Sequence, residues 1–284
     1  MRNRQRKKQF WKRDWIYMNR ILSVAKNTFI EAIRDRVLYS LVLFAGLMII
    51  SSLLFASISA EQYNKIVKDL GLTAISLIGI MISIFLGMGL VYKEIDRKTV
   101  YNIFSKPVKR YEFIIGKYLG LSFTLFVITL AMAFILFLVV LYIELKYGSF
   151  IEYYYGGHYF PEFFKAVYFE YLEFLVVIGI ALVFSCFTSP VLTVLFSFFL
   201  IAIGRFSSDV RLFAEEVDHP ITRYFAEFVY RVIPNLEKFD VRSEAVYGGV
   251  VSPELILYTT SYALVYSVVL VLLSIIIFEK REFN

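Results

Sequence analysis

Residues 70–92 read LGLTAISLIGIMISIFLGMGLVY, and residues 93–117 continue as KEIDRKTVYNIFSKPVKRYEFIIGK. The first stretch has no charged side chain and is long enough to cross a membrane as one helix, because about 20 apolar residues span a hydrocarbon core of about 30 Å. The second stretch is rich in Lys, Arg, Asp and Glu and is too polar to enter the lipid. Together they predict a transmembrane helix that leads into a segment at the membrane surface.

Five further apolar stretches have a similar character. The 284 residues are 59% hydrophobic and only 19% charged, which is far from the composition of a soluble domain. The proposed spans are Leu70–Tyr92 together with Val37–Ser59, Tyr118–Ile143, Ala166–Thr188, Val191–Phe206 and Leu255–Phe278. All six prolines fall between these spans, as expected of helix breakers. The sequence therefore predicts an all-α integral membrane protein with six transmembrane helices.

The distribution of positive charge predicts how the chain is oriented. Residues 1–36 hold 11 Lys and Arg and residues 93–117 hold 7, whereas residues 60–69 and 144–165 hold 2 each. Because positively charged segments are retained on the cytoplasmic side, the amino terminus and residues 93–117 are expected there. Six crossings then place the carboxyl terminus in the cytoplasm as well, in a multi-pass protein of the cell (inner) membrane.

Two amphipathic patterns flank the spans. Within a cytoplasmic basic segment at residues 1–36, the apolar residues of Trp11–Ile33 recur at helical spacing, which predicts an interfacial helix in contact with anionic lipid. The remaining residues, 37–284, form the six-helix transmembrane domain, with an external loop at 207–253. In that loop Ile221–Ile233 repeats apolar residues at helical spacing and predicts a second helix, lying in the outer interface or re-entering the bundle.

Small residues mark one face of the second span. Gly79, Ser83 and Gly87 recur at every fourth position, so they form a narrow groove into which another helix can pack closely. The pattern leaves open whether that helix belongs to the same chain or to a second copy.

Two carboxylates lie inside a proposed span. Glu170 and Glu173 are three residues apart, on one face and in the outer third of the fourth span. One interpretation is structural, because a helix amino terminus and nearby water both favour negative charge. The other is that both residues line a transport path.

The charged connection at residues 93–117 is more than a tether. It predicts a short helix from about Glu94 to Phe104, which ends before Pro107 because the residue preceding a proline disfavours helical geometry. A charged helix held between two membrane helices is suited to receive force from a soluble partner.

At these residues the chain resembles the permease subunits of exporter-type ABC transporters, the ABC-2 superfamily. The family has a Glu after the second span, a Thr a few residues on, Ser-Lys-Pro-Val-x-Arg-x-Glu, and Gly-Lys at the third helix. The matching residues are Glu94, Thr99, Ser105 to Glu112, and Gly116-Lys117, with Lys98 where many members have Gly. Residues 25–36 and 234–239 are also similar to the subgroup often linked with copper-enzyme maturation.

The resemblance implies a half-transporter that pairs with a second copy or a related permease. It implies an amino-terminal connecting helix, a cytoplasmic coupling helix, re-entrant external helices, and a separate ABC ATP-binding subunit that holds ATP and Mg. The residues expected to contact that subunit are Glu94, Arg97, Lys98, Thr99, Phe104, Ser105, Lys106, Pro107 and Arg110. No cofactor is expected on this chain.

Several other classes of function find little support. The sequence has no Gly-x-x-x-x-Gly-Lys-[Ser/Thr] phosphate loop and no metalloprotease or serine-hydrolase motif, so no catalytic residues are predicted. Cys186, His158 and His219 make a poor inventory for a metal site. The net charge of +6 is dispersed, which argues against a nucleic-acid partner. An ion- or proton-coupled secondary transporter and a membrane anchor of another complex stay open as alternatives.

Overall fold

The structure is a computed structural model that describes residues 19–58, 63–96, 109–147, 159–216 and 220–280. Every regular element in these ranges is helical. In chain order the elements are α1 (19–33), α2 (Arg36–Ile58), α3 (Tyr63–Asp96), α4 (Arg110–Tyr147), α5 (Tyr159–Ser185), α6 (Pro190–Arg205), α7 (Ser207–Glu216), α8 (Pro220–Val232), a 3-10 turn (Glu237–Phe239), α9 (Arg242–Tyr247) and α10 (Pro253–Lys280). The predicted all-α fold is confirmed.

Five of the helices are long and apolar enough to cross a membrane, namely α2, α3, α4, α5 and α10. The predicted fifth span corresponds to α6, which is apolar but has only 16 residues. At 1.5 Å per residue it is about 24 Å long, less than the thickness of the hydrocarbon core. The structure therefore supports five full spans and a shorter helix, α6, at the position of the predicted fifth span.

The helices α3, α4 and α5 extend beyond the predicted spans by a turn or more. The helix α3 begins at Tyr63 and continues to Asp96, so Glu94 belongs to its last turn and does not begin a separate helix. The rest of the predicted coupling helix lies outside the described residues. The helix α5 begins at Tyr159, well before the predicted Ala166, with Pro161 in its first turn, where a proline is tolerated. Hydropathy marks the apolar part of a helix, whereas Lys and Glu are good helix formers that continue it into water.

The centre of the bundle is formed by α3 and α5. A Cβ atom added at Gly79 would lie 2.0 Å from Cζ of Phe174, and one added at Gly87 would lie 2.5 Å from Cβ of Ala181. Ser83, between the two glycines, directs its hydroxyl to the Gly79 carbonyl oxygen of its own helix at 2.7 Å. The small-residue groove is therefore filled by α5 of the same chain.

The described part of the amino-terminal helix packs against α4. Gly116 and Gly120 allow this approach, since a Cβ added at Gly120 would lie 2.5 Å from the Ala25 carbonyl oxygen. Leu22, on the predicted apolar stripe, is 55% exposed, so part of that stripe stays free to meet lipid. The predicted beginning of this helix, at residues 11–18, lies outside the described residues.

Residues 207–253, the predicted external loop, contain more helical structure than the sequence predicted. The amphipathic helix expected at 221–233 is present as α8, and it pairs with α7, which the sequence did not predict. Tyr224, Phe228 and Val232, one turn apart along α8, are exposed. After α8 the chain turns back to the end of α6, then forms α9 against α3 and α5 before α10 begins.

Candidate functional site

The two helices that flank the predicted coupling segment are α3 and α4. Arg110, the first residue of α4, is the only predicted ATPase contact whose side chain falls in the described part of the structure, and Glu94 is described by its backbone in α3. The other predicted contacts, outside the described residues, are Arg97, Lys98, Thr99, Phe104, Ser105, Lys106 and Pro107.

The start of α4 is fixed by a local capping interaction. The Lys109 backbone N–H donates to Oε2 of Glu112 at 2.9 Å, which satisfies a donor at the end of the helix that has no partner within it. Glu112 is fully buried. The direction in which the chain enters α4 from the coupling segment is therefore set by the residues next to that segment.

Arg110 joins the start of α4 to the end of α10. Its Nη1 donates to the carbonyl oxygens of Phe278 at 3.2 Å and Glu279 at 2.9 Å. A guanidinium group is well suited to this position, because the last carbonyl groups of a helix lack backbone donors and carry the negative end of the helix dipole. The rings of Phe113 and Phe278 stack with their centroids 5.8 Å apart and support the same contact.

A further contact ties α4 to α1. The Nζ atom of Lys117 lies 3.7 Å from Oε2 of Glu31, and the Lys117 side chain is 3% exposed. Together with the contact at Gly120, this ion pair joins α1 to the first turns of α4. A displacement of the segment before α4 would therefore reach α1 and α10 as well as α4.

A cluster of charged side chains lies deeper in the bundle, on α5. Glu170 and Glu173 are each 2% exposed. Because α5 begins at Tyr159, Glu170 is about three turns into the helix, and the interpretation that both residues sit near a helix amino terminus is wrong. Glu173 is midway along the apolar part of α5, which runs from Pro161 to Ser185.

Glu173 is paired with Arg205, the last residue of α6. The Nε atom of Arg205 donates to Oε1 at 2.8 Å, and its Nη2 donates to Oε2 at 2.7 Å, a two-pronged geometry that is among the strongest available to these groups. Nη2 also donates to the Ser76 hydroxyl of α3. This single guanidinium group therefore connects α3, α5 and α6.

A second arginine, Arg242 at the start of α9, is bonded to α3. The Nη1 atom of Arg242 donates to Oγ1 of Thr73 at 3.0 Å, and its Nε donates to Oδ1 of Asp240 at 2.7 Å. Burial disfavours the charged form of Asp240, but the hydrogen bonds and positive charge of Arg242 outweigh that effect and hold the pKa of Asp240 below its ordinary value. The pair is therefore charged at neutral pH.

The segment between α8 and α9, residues 233–241, is fixed to α6 and α10 by hydrogen bonds. The Leu236 N–H donates to the Gly204 carbonyl oxygen at 2.9 Å. The Asn235 N–H donates to the Tyr262 hydroxyl at 2.8 Å. These bonds hold the segment beside the end of α6, next to the charged cluster.

Sequence reasoning found the two glutamates but not their partners. Arg205 lies at the end of the predicted fifth span. This position of a charge beside an apolar stretch is the one feature of the sequence that indicates a role for Arg205 inside the bundle. Its pairing with Glu173, 32 residues away, has no local pattern. In the part of the chain that the structure describes, no three His, Cys, Asp or Glu side chains come together as a metal site.

Comparison with known families agrees with this architecture. No curated protein matches the chain. The family model described as "ABC-2 family transporter protein" matches residues 22–283, which is nearly the whole chain. The likeness to the subgroup linked with copper-enzyme maturation stays a prediction. The chain belongs to the ABC-2 family of transporter proteins, and it is a multi-pass membrane subunit of an ABC transporter.

Proposed function

We propose that the chain is the membrane half of an ABC exporter, driven by a separate ATP-binding subunit that docks on residues 93–117 from the cytoplasm. In this arrangement both termini are cytoplasmic, the membrane is the cell (inner) membrane, and ATP and Mg bind to the partner. The substrate itself has no recognisable motif in the sequence.

The contact between Arg110 and the end of α10 carries this proposal. The docking segment leads directly into α4, whose first turns are bonded to α1 through Lys117 and to α10 through Arg110. Closure of an ATPase dimer beneath residues 93–117 would therefore move α1, α4 and α10 together. Such a movement favours one of two packings of the bundle, as a shift in population requires.

The second half of the transporter is expected to lie beside α6. This helix buries one face, formed by Thr193, Ser197, Ile201 and Gly204, and with 16 residues it is the shortest of the helices at the predicted spans. Arg205 at its end is 30% exposed, and an exposed guanidinium group at this depth is costly in lipid. Water in a transport path, or a second subunit, removes that cost. Native mass spectrometry of the chain in mild detergent would test the pairing, and a monomer in every lipid and detergent tried would contradict it.

Docking is tested by replacing residues of the predicted contact. Glu94→Ala and Arg97→Ala should leave membrane insertion intact and weaken co-purification with the ATP-binding subunit. Arg223→Ala, an exposed arginine of α8 on the opposite side, is the matched control and should change nothing. Unchanged co-purification of both cytoplasmic variants would refute the docking site.

Transmission of movement is tested separately at Arg110. Arg110→Ala removes the donor to two carbonyl oxygens of α10, so we expect the ATP-binding subunit to stay bound while ATP-driven transport falls severalfold. Arg110→Lys keeps the charge but not the guanidinium geometry and should show an intermediate loss. Full transport in Arg110→Ala would show that the contact with α10 has no part in coupling.

A further inference from the structure

One buried carboxylate in the middle of the bundle lacks the partner that its neighbour has. Glu170 is 2% exposed, and within the described residues its Oε2 atom has no hydrogen-bonding partner. Glu173, one turn further along α5, gives both of its oxygen atoms to Arg205. Two glutamates on the same face of one helix are therefore held in different ways.

The charges around Glu170 do not balance. The charged side chains within electrostatic reach of Glu170 and its neighbour Glu173 are Arg205 of α6 and Asp240 and Arg242 of the external loop. The exposed Asp69 of α3 lies within electrostatic reach of Arg242. Residues 118–143 of α4 and 255–278 of α10, two helices that also pack against α5, contain no charged side chain. Without Asp69, the cluster has three carboxyl groups, Glu170 included, and two guanidinium groups, an excess of one negative charge.

The two arginines are already committed to other carboxylates. Arg205 directs two nitrogen atoms to Glu173, and Arg242 directs two to Asp240. The Ser76 hydroxyl lies within hydrogen-bonding reach of the Glu170 carboxyl group. A buried carboxylate with one oxygen atom unsatisfied is far more costly than a neutral carboxylic acid in the same place.

We propose that Oε2 of Glu170 binds one proton, so that the cluster is a proton-binding site with Glu170 as a neutral carboxylic acid in this conformation. The bound proton cancels the excess negative charge. It leaves the ion pairs of Arg205 with Glu173 and of Arg242 with Asp240 intact. It also leaves one carboxylate, Glu173, as the permanent partner of the guanidinium group that joins α3, α5 and α6.

The position of the site links the proton to movement of the external loop. The segment at residues 233–241 lies beside the cluster. Loss of its hydrogen bonds to Gly204 and Tyr262 would admit water to Glu170. The proton would then pass to water and leave a hydrated carboxylate behind. This link rests on the proposed function, because it requires the ATP-binding subunit to move the loop. The proton site itself does not depend on the proposed function.

The site is tested on the full chain in lipid nanodiscs by infrared spectroscopy near neutral pH, without any ATP-binding subunit. We expect the spectrum to contain a carbonyl-stretch band of a protonated carboxylic acid that is lost in Glu170→Gln and kept in Glu173→Gln. Glu170→Gln mimics the protonated group and should unfold at the same temperature as the unmodified chain. Glu173→Gln, the matched control, should unfold at a clearly lower temperature.

Three results would overturn the proton site. The first is a difference spectrum in which Glu170→Gln loses only carboxylate bands. The second is a loss of thermal stability in Glu170→Gln as large as that in Glu173→Gln, which would mean an ionised and paired Glu170. The third is a shift of the unfolding temperature with Na⁺ or K⁺ at constant ionic strength that disappears in Glu170→Gln, which would assign the site to an alkali-metal ion.

The link to movement has its own test in the complex with the ATP-binding subunit. A pH-indicator dye should report release of about one proton per membrane subunit when ATP is added, and Glu170→Gln should abolish it. Absence of proton release while ATP is hydrolysed would refute the link between the proton and loop movement. The proton site itself would then be judged by the infrared result alone. Because the infrared experiment needs no ATP, failure of the proton site and failure of the proposed function can be told apart.

Discussion

The ion pair between Arg205 and Glu173, in the middle of the bundle, is predicted to be highly sensitive to substitution. Arg205→Met removes the charge but keeps much of the side-chain length, and it leaves Glu173, 2% exposed, as a buried carboxylate without its donor. Removing one partner of a buried pair costs about 3–5 kcal/mol. Glu173→Gln leaves the guanidinium group, which is 30% exposed and can turn toward water, so we expect a smaller cost of about 1–3 kcal/mol.

The double variant distinguishes this ion pair from simple packing. When Glu173→Gln and Arg205→Met are combined, no unpaired charge is left, so the loss should be smaller than the sum of the two single losses by about 1–3 kcal/mol. The free energy of unfolding can be measured by denaturant titration of the purified chain in mixed micelles, followed by circular dichroism. Arg223→Met, in an exposed pair with Glu227 at 3.4 Å, is the control and should cost less than about 1 kcal/mol.

Two outcomes would refute this reasoning. The first is that Arg205→Met lowers the free energy of unfolding no more than the Arg223→Met control, which would mean that the buried pair stabilises the chain only as much as an exposed ion pair does. If the losses of the two single variants simply add in the double variant, Arg205 and Glu173 act independently, and the cluster is not a unit.

Three other predictions concern packing, topology and pH. Gly79→Ala should cost about 1–3 kcal/mol because its Cβ would meet Phe174 at 2.0 Å, whereas Gly46→Ala, with no atom within 4 Å, should be neutral or stabilising in the same unfolding assay. An impermeant thiol reagent added to intact cells should label Arg223→Cys and spare Lys106→Cys, and the reverse pattern would overturn the orientation. The free energy of unfolding should fall as the pH drops through the lowered pKa of Asp240, because its paired, ionised form is favoured in the folded state, and Asp240→Asn should flatten that dependence.

Hydropathy located the membrane helices because the cost of burying polar groups in lipid is local and adds along the chain. The apolar part of every long helix was predicted, and the amphipathic pattern at 221–233 marked α8. The ends were predicted less well, since Glu94 lies in a turn that continues α3 beyond its apolar part. Where a helix ends depends on caps such as the bond from Lys109 to Glu112, which the apolar pattern does not contain.

Long-range pairing was beyond the reach of the sequence. The glutamates of α5 were recognised as unusual, but their roles depend on Arg205, on Ser76 and on a loop that returns to the end of α6. The small-residue groove shows the same limit. Gly79 and Gly87 predicted a close helix contact, and only the fold identifies α5 as the helix that fills it.

The helix α3 connects the two ends of this arrangement. It runs without a break from Asp96, next to the docking segment, to Ser76 at the cluster, a distance of about 30 Å along the helix. Between these points the close contacts at Gly79 and Gly87 leave no room for α3 to rotate or slide against α5, so the two helices are expected to move as one body. Any opening beside the charged cluster must then occur where α6 and the segment at 233–241 meet this body, and the guanidinium group of Arg205 bridges that boundary.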